Sequence, residues 1–411
     1  MKVSVLSVGS ELLAGDTLNS NATFLSKRLH HLGIEVVSHR VAGDNKENIM
    51  KSLKEELKGA DILFITGGLG PTPDDLTKET VSEFFGRKLV LDPKSLQRIE
   101  DFFERLGMEI GEGNRKQAYF PEGSEILPND IGTAPGCIVE NKDKKVILLP
   151  GPPREMERMF EKRVLVYLDR YLEGFIETRT LRLLGIGEGH MAEKIRDLIR
   201  ETSEISVAPY SKEGENIIQI VVRSKTREAA LSKAEEIESE IRKRLGKHIY
   251  GEGETCIEAV VGNLLEKKGL KIAFAESCTG GMIASTMVNH PGISSTLLEG
   301  VVVYTNESKV SRLGVKEESI AQYGAVSEQV AREMAEGIVR TSKADVGISV
   351  TGIAGPSGGT PEKPVGTVFV GMALNGETRV KKLNLWGSRN QIRRRTMLIV
   401  LDWLRRSLME I

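Results

Sequence analysis

With 411 residues the chain has room for two to three cores, taking roughly 150 residues per domain. A formal net charge of -1, with 28% charged and 40% hydrophobic residues, excludes a global basic footprint, so no nucleic acid is expected as a partner. No apolar run approaches the roughly 18 residues of a membrane span, and the scattered Cys137, Cys256 and Cys278 offer neither a disulfide framework nor a paired metal knuckle; a cytoplasmic protein without a membrane partner is expected.

Taken in chain order, the first segment alternates apolar strands with helical stretches, the pattern of a mostly parallel sheet covered by helices. VSVLSVG (3–9), IEVVSHRV (34–41) and DILFITGG (61–68) read as strands, with helices in ATFLSKRLHHLG and KENIMKSLKEELKGA between them. GCIVE and VILLP flank the polar NKDKK as a hairpin, GPPREM opens a helix, and the domain is expected to end near Tyr171. The rhythm then changes. LRLLGIGEGHMAEKIRDLIR suggests strand, glycine turn and helix, while NIIQIVVRS alternates as a half-buried strand before the charged helix REAALSKAEEIESEIRKRLG. This is a small α+β unit. The α/β pattern resumes with KIAFAES, LEGVVVYTN, ADVGISVTG and VGTVFVGMAL as strands, after GEGETCIEAV as a link. A last helix, RNQIRRRTMLIVLDWLRRSLMEI, places Ile392, Ile399 and Trp403 on one face.

Every polar cluster of the third unit falls where a strand ends, the place where open α/β sheets bind ligands. AESCTGG puts Ser277 and Cys278 on a tight turn at a helix start, where N–H groups of Thr279, Gly280 and Gly281 face an oxyanion or a phosphate. The residues leave two nucleophiles open, because a serine needs a base and the more reactive cysteine has no histidine beside it. Lys309, in the first turn of a helix capped by Thr305 or Asn306, reads either as that base, its pKa lowered by the helix dipole, or as a solvated charge. Tyr304 either relays a proton, orients the lysine or is simply a strand-end aromatic. TGIAGPSGGTPEKPVG (351–366) reads as a ligand loop or a flexible one, and Arg389, Arg393, Arg394 and Arg395 as a phosphate clamp or a solvated face. In the first unit, ITGGLGPTPDDLT (65–77) runs from a strand through glycines to Asp74 and Asp75, which serve as a helix cap or as oxygen ligands of a cation. No histidine cluster competes with carboxylates for such an ion, and Glu11 and Asp44 follow the neighbouring strands.

The set AESCTGG, GVVVYTNESK, YGAVSE, SVTGIAGPSGG and KPVGTV resembles the C-terminal domain of the CinA family, the nicotinamide mononucleotide deamidases, over essentially all of residues 254–411. The resemblance implies Ser277 as nucleophile assisted by Tyr304 and Lys309; Thr279, Gly280, Gly281, Asn306, Thr351, Gly352, Gly355 and Arg394 are the expected substrate contacts, with no cofactor in this domain. Upstream, GSELLAGD with TGGLGPTPDDLT resembles the CinA branch of the molybdopterin-binding fold, although Leu69 stands where molybdenum-cofactor enzymes tend to carry threonine. That branch implies ADP-ribose cleavage with a divalent ion (Mg, Mn or Co) and Asp74 and Asp75 as metal or phosphate ligands; Glu11 and Asp44 are further expected metal ligands, and Gly67, Gly68, Gly70 and Thr72 are expected to hold phosphate. GIGEG resembles a KH loop, yet its Glu188 suits a connector better than an RNA reader. The expected fold class is therefore α/β. It comprises a molybdopterin-binding-like α/β domain (1–171), a KH-like α+β connector (172–253) and an α/β deamidase domain (254–411). The expected function is a bifunctional pyridine-nucleotide salvage hydrolase acting as a homodimer. The rival is a non-catalytic scaffold linked to DNA uptake or damage.

Overall fold

Strands β1 (Lys2–Val8), β2 (Glu35–Ala42) and β3 (Ile62–Thr66) form from the three apolar runs that open the chain. A short ribbon follows from β4 (Leu89–Leu91) and β5 (Tyr119–Pro121), and then β6 (Glu125–Leu127), β7 (Gly136–Asn141) and β8 (Lys144–Leu149) complete the first sheet. Its order is β2-β1-β3-β8-β7-β6. The structure, a computed structural model, describes residues 1–171, 174–212 and 214–410, without the side chain of residue 212. The expected boundary after Tyr171 thus meets residues 172–173, outside the described residues.

The sheet is mixed: β2, β1, β3 and β8 pair in parallel as expected, β7 turns back against β8 through the hairpin, and β6 reverses again to lie antiparallel to β7. Period-2 alternation explains the two cores. Ile62 and Phe64 of β3 enter one buried cluster with Val3 and Val5, and Leu63 and Ile65 enter another with Leu6 and Val8. A strand apolar on both faces needs helices on both, and the chain supplies them from Ser20–His31, Lys46–Gly59 and Pro153–Met159.

Chain contacts divide the molecule into two compact units, Met1–Ile176 with Arg223–Ala230, and Glu177–Val222 with Leu231–Ile411. The second unit carries two sheets. One contains β9 (Phe175–Leu183), β10 (Arg200–Glu201), β11 (Ile205–Lys212), β12 (Glu215–Ser224) and β13 (Ile249–Glu252) in the order β10-β11-β12-β9-β13. Only β9 and β12 are expected from sequence pattern; β11 is found by pairing antiparallel along the whole of β12. The other sheet contains β14 (Ile272–Glu276), β15 (Leu297–Val302), β16 (Val346–Gly352), β17 (Thr367–Leu374) and β18 (Glu377–Asn384), ordered β15-β14-β16-β17-β18. β18 is absent from the sequence expectation because ETRVKKLN is rich in charge, as an edge strand tolerates.

The terminal helix Arg389–Glu410 is buried nearly all round, not along a single face as its periodicity suggests. Ile392 and Trp403 are buried, Ile399 only half so, and even the charged pair Arg405 and Asp402 is enclosed. Arg405 donates to Asp402 Oδ1 at 2.8 Å and reaches the carbonyls of Lys247 and Ile249, while Arg406 pairs with Asp402 Oδ2 at 2.7 Å. Among the described residues no helix is long and apolar enough to cross a membrane. Removing Asp402 leaves a buried guanidinium uncompensated, so Asp402→Ala is expected to lower unfolding free energy by about 3–5 kcal/mol, read as a shift of the urea midpoint.

Candidate active site

β14 delivers the nucleophile turn. Its last residue, Glu276, is buried, and its two carboxylate oxygens accept the N–H groups of Ile283 (3.1 Å) and Ala284 (2.8 Å), capping the helix Met282–Val288 from outside. Gly280 and Gly281, at φ 61° and 85°, let the chain reverse between strand and helix. Ser277 N–H donates to Val350 O at 3.0 Å, which ties the turn to β16. The Gly280 N–H donates back to Ser277 O at 3.0 Å and is thus spent inside the turn rather than offered to an oxyanion. The N–H groups of Thr279 and Gly281 have no acceptor among the described residues.

Lys309 comes to this turn from the other side. It lies in the helix Asn306–Leu313, whose cap is Thr305 in a capping box with Ser308, and its side chain is almost wholly buried. Its Nζ stands 3.3 Å from Ser277 Oγ and faces the carbonyls of Val303 at 2.9 Å, Tyr304 at 3.2 Å and Thr305 at 3.5 Å. Burial holds the ammonium below the usual lysine range against the opposing influence of Cys278 and Glu307. The helix dipole is not needed to explain it. When the amine is neutral, its two N–H groups can stay on these carbonyls while its lone pair faces Ser277. This is the arrangement of a base beside its nucleophile. Burial pushes the Cys278 thiol up to about 11, so it stays protonated near neutral pH and is the weaker candidate.

Tyr304 takes a different place from the one its spacing suggests. More than half its surface is exposed, its backbone carbonyl orients Lys309, and its hydroxyl accepts from Arg389 Nη2 at 2.7 Å. Among the described residues that hydroxyl bonds neither Ser277 nor Lys309, so no proton relay runs through it here. Arg389 also donates to Gly355 O at 2.8 Å, and Arg393 donates to Thr279 O at 2.8 and 3.2 Å. Positions 389 and 393 share one helix face, whereas Arg394 is exposed and Arg395 stacks on Trp386. The i,i+4 spacing was the available signal for choosing between these arginines. Thr279 is fully buried with its hydroxyl unpartnered. Thr351 Oγ1 is spent on Ala325 O at 2.8 Å, Gly352 is packed against Val368, and Asn306 is exposed at the helix start.

The N-terminal candidates do not converge as one cluster. Gly67 and Gly68 are required by packing, since a Cβ on them would lie 2.2 Å from Val8 O and 2.1 Å from Thr77 Oγ1. Asp75 accepts the N–H and hydroxyl of Thr72, and a Cβ on Gly70 would overlap its carboxylate, so residues 70–75 close on themselves. Asp74 is exposed, its carboxyl held below the usual range by hydrogen bonding to Thr72. Asp44 caps Ser10 at 2.6 Å. Glu11 instead borders a small cavity of about 80 Å³ with Ser7, Asn19 and Asn21. Among the described residues no group of three His, Cys, Asp or Glu side chains gathers as a cation site. The four expected ligands do not fit a preformed metal cage. Sequence reasoning missed two lysines at this loop: Lys116 donates to Asp75 O at 2.7 Å, and buried Lys78, pushed down to about 8 by desolvation, donates to Gln117 O. Asn21 fixes Thr66 and Gly151 with its amide nitrogen, both at 2.7 Å, and leaves a buried, unpartnered Oδ1.

Family models match in three consecutive blocks: the probable molybdopterin binding domain over residues 4–170, the damage-inducible protein CinA KH domain over 178–251, and the CinA C-terminal domain over 254–408. A CinA-like protein of Dictyoglomus thermophilum is 52% identical over 411 residues, covering the whole of both chains. The chain belongs to the CinA family. A CinA-like protein of Dictyoglomus turgidum is 53% identical over the same full length. Among solved structures, the competence-damaged protein (CinA) superfamily protein of Klebsiella pneumoniae matches at 29% identity over 38% of this chain and 97% of that one, with a TM-score of 0.37. The CinA C-terminal block includes Ser277, Tyr304, Lys309, Arg389 and Arg393. Cys137, whose thiol burial pushes up to about 12, and Cys278 should resist a thiol reagent near neutral pH, while exposed Cys256 reacts. Titration of the native protein is expected to count one fast thiol, and three after denaturation.

Proposed function

We propose that the C-terminal domain hydrolyses the carboxamide of nicotinamide mononucleotide to nicotinic acid mononucleotide and ammonia. The observation that carries this reading is the buried Lys309 amine at 3.3 Å from Ser277 Oγ, with the backbone carbonyls of residues 303–305 around its remaining sides as acceptors. Ser277 Oγ attacks the carboxamide carbon and gives its proton to the Lys309 lone pair. Lys309 then protonates the leaving nitrogen, and ammonia departs from a serine ester. Water adds to that ester, losing its proton to the again neutral lysine, and the acid is released as Ser277 recovers its hydrogen. The unspent N–H groups of Thr279 and Gly281 sit in the turn that carries the nucleophile, where an oxyanion would develop. Arg389 and Arg393 supply positive charge beside the same loops for the substrate phosphate.

For the N-terminal domain we propose ADP-ribose cleavage to AMP and ribose 5-phosphate, supported by the glycine turn at the end of β3 and by the Glu11–Asn21 cavity at the end of β1. The chain's own residues hold the loop and offer the Asn21 carbonyl as an unspent acceptor.

Ammonia release tests the first reading. Ser277→Ala is expected to lose at least about 10³-fold in kcat, Lys309→Met about 10²–10⁴-fold and Cys278→Ala little. Full activity in the Ser277 variant would overturn the mechanism. Because the base works as a neutral amine, kcat/KM should rise with pH through the Lys309 pKa, which lies below that of a free lysine, and this acid limb should vanish in Lys309→Met. For the N-terminal domain, ADP-ribose cleavage is measured against metal concentration in wild type and Asn21→Ala. An unchanged KM in the variant would place the substrate elsewhere.

A further inference from the structure

The second unit contains a cavity of about 630 Å³, distinct from the Ser277 turn. Its walls are the glycine loop Leu184–Glu188 on one side and, on the other, the terminal helix with residues of β18 and the loop after it. Volumes of this order are typical of small-ligand sites, which are largely apolar with a few placed polar groups. Here the apolar part includes Ile186, Leu385 and Leu398, and two aromatic planes, Trp386 and Trp403. The charged lining is Lys381, Arg395 and Arg406 against Glu188 and Asp402.

That inventory leaves positive charge unspent. Asp402 is already shared by Arg405 and Arg406. Lys381 makes no ion pair and no hydrogen bond among the described residues; its Nζ rests 4.4 Å from the centre of the Trp403 ring. Arg406 Nε is buried without a partner. Arg395 lies over Trp386, 4.6 Å from the ring centre, and Trp386 is 71% exposed, an unusual state for the largest apolar side chain unless something covers it. The glycine loop is held in shape from behind, because buried Asn216 donates to Ile186 O at 2.7 Å. A preformed wall, two aromatic planes and more cations than anions, with Asp402 shared between two arginines, belong to one ligand chemistry.

We propose that this cavity binds a small anion with a planar aromatic body, of mononucleotide size, at a site separate from Ser277. The anionic group is held by Lys381 and Arg406, and the planar body lies against Trp386 and Arg395. The terminal helix reads both sites: residues 395, 398, 399, 402 and 406 face the cavity, and Arg389 and Arg393 hold the loops around Ser277.

The chain has two tryptophans and both line this cavity, so their fluorescence reports on it directly. The full-length protein is titrated with AMP, with adenosine as the uncharged control. Saturable quenching is expected with AMP, and at least tenfold weaker binding with adenosine. Lys381→Met and Arg395→Gln should each weaken AMP at least tenfold while their melting curves match wild type; two variants guard against a folding defect in one. Arg389→Gln, which alters the Ser277 loops and not this cavity, should leave AMP affinity unchanged. The proposal is overturned by absence of a saturable signal up to millimolar AMP, by unchanged affinity in both cavity variants, by AMP binding weakened in Arg389→Gln as much as in them, or by a single-stranded oligonucleotide binding more tightly than AMP. The binding assay reads no catalysis, so its failure and that of the deamidase reading are distinguishable.

Discussion

A buried amine must place its N–H groups on acceptors or lose its charge, and Lys309 does this with the backbone carbonyls of residues 303–305, just beyond β15. Those carbonyls have their position because β15 pairs in parallel with β14, Glu276 beside Val302, and because Val303 N–H continues the ladder to Glu276 O at 2.8 Å. Strand register therefore sets the distance between nucleophile and lysine. Glu276, next to Ser277 in sequence, points away and caps the following helix, so its carboxylate stabilises the turn instead of competing for the substrate. The residue that looks most reactive in the motif, Cys278, is kept protonated by the same burial that lowers the lysine.

The terminal helix is the second constraint. Its first turns hold the two loops that border Ser277, through Arg393 to Thr279 and Arg389 to Gly355 and Tyr304. Further along, Asp402 and Arg405 anchor it against the carbonyls of Lys247 and Ile249, which explains why its charged residues are buried. A helix packed on several sides cannot carry a clean amphipathic stripe, and its sequence pattern accordingly understates how much of it is enclosed.

In the N-terminal unit the same residue types serve mainly to build the loop. Gly67, Gly68 and Gly70 are forced by neighbouring atoms, and Asp75 closes a turn on Thr72. The acidic residues expected as one metal site belong to separate local networks. What does stand open there is the Asn21 carbonyl, whose lack of a partner is invisible in a sequence because it depends on Thr66 and Gly151 occupying the amide nitrogen.

The sequence by itself determined the alternation of strands and helices, the strand-end placement of AESCTGG, YTNESK and TGGLGPTPDD, and the family, because hydrophobic period and local turn chemistry are written in neighbouring residues. β18 and β11 escaped because pairing, not composition, makes them strands. Tertiary structure alone decided which arginines meet the active loops, that Tyr304 contributes a carbonyl to Lys309 while its hydroxyl goes to Arg389, and that Glu11, Asp44, Asp74 and Asp75 do not gather. Each of these outcomes is a contact between residues far apart in the chain. Such contacts depend on register, burial and the completion of hydrogen bonds, and those are properties of the packed molecule.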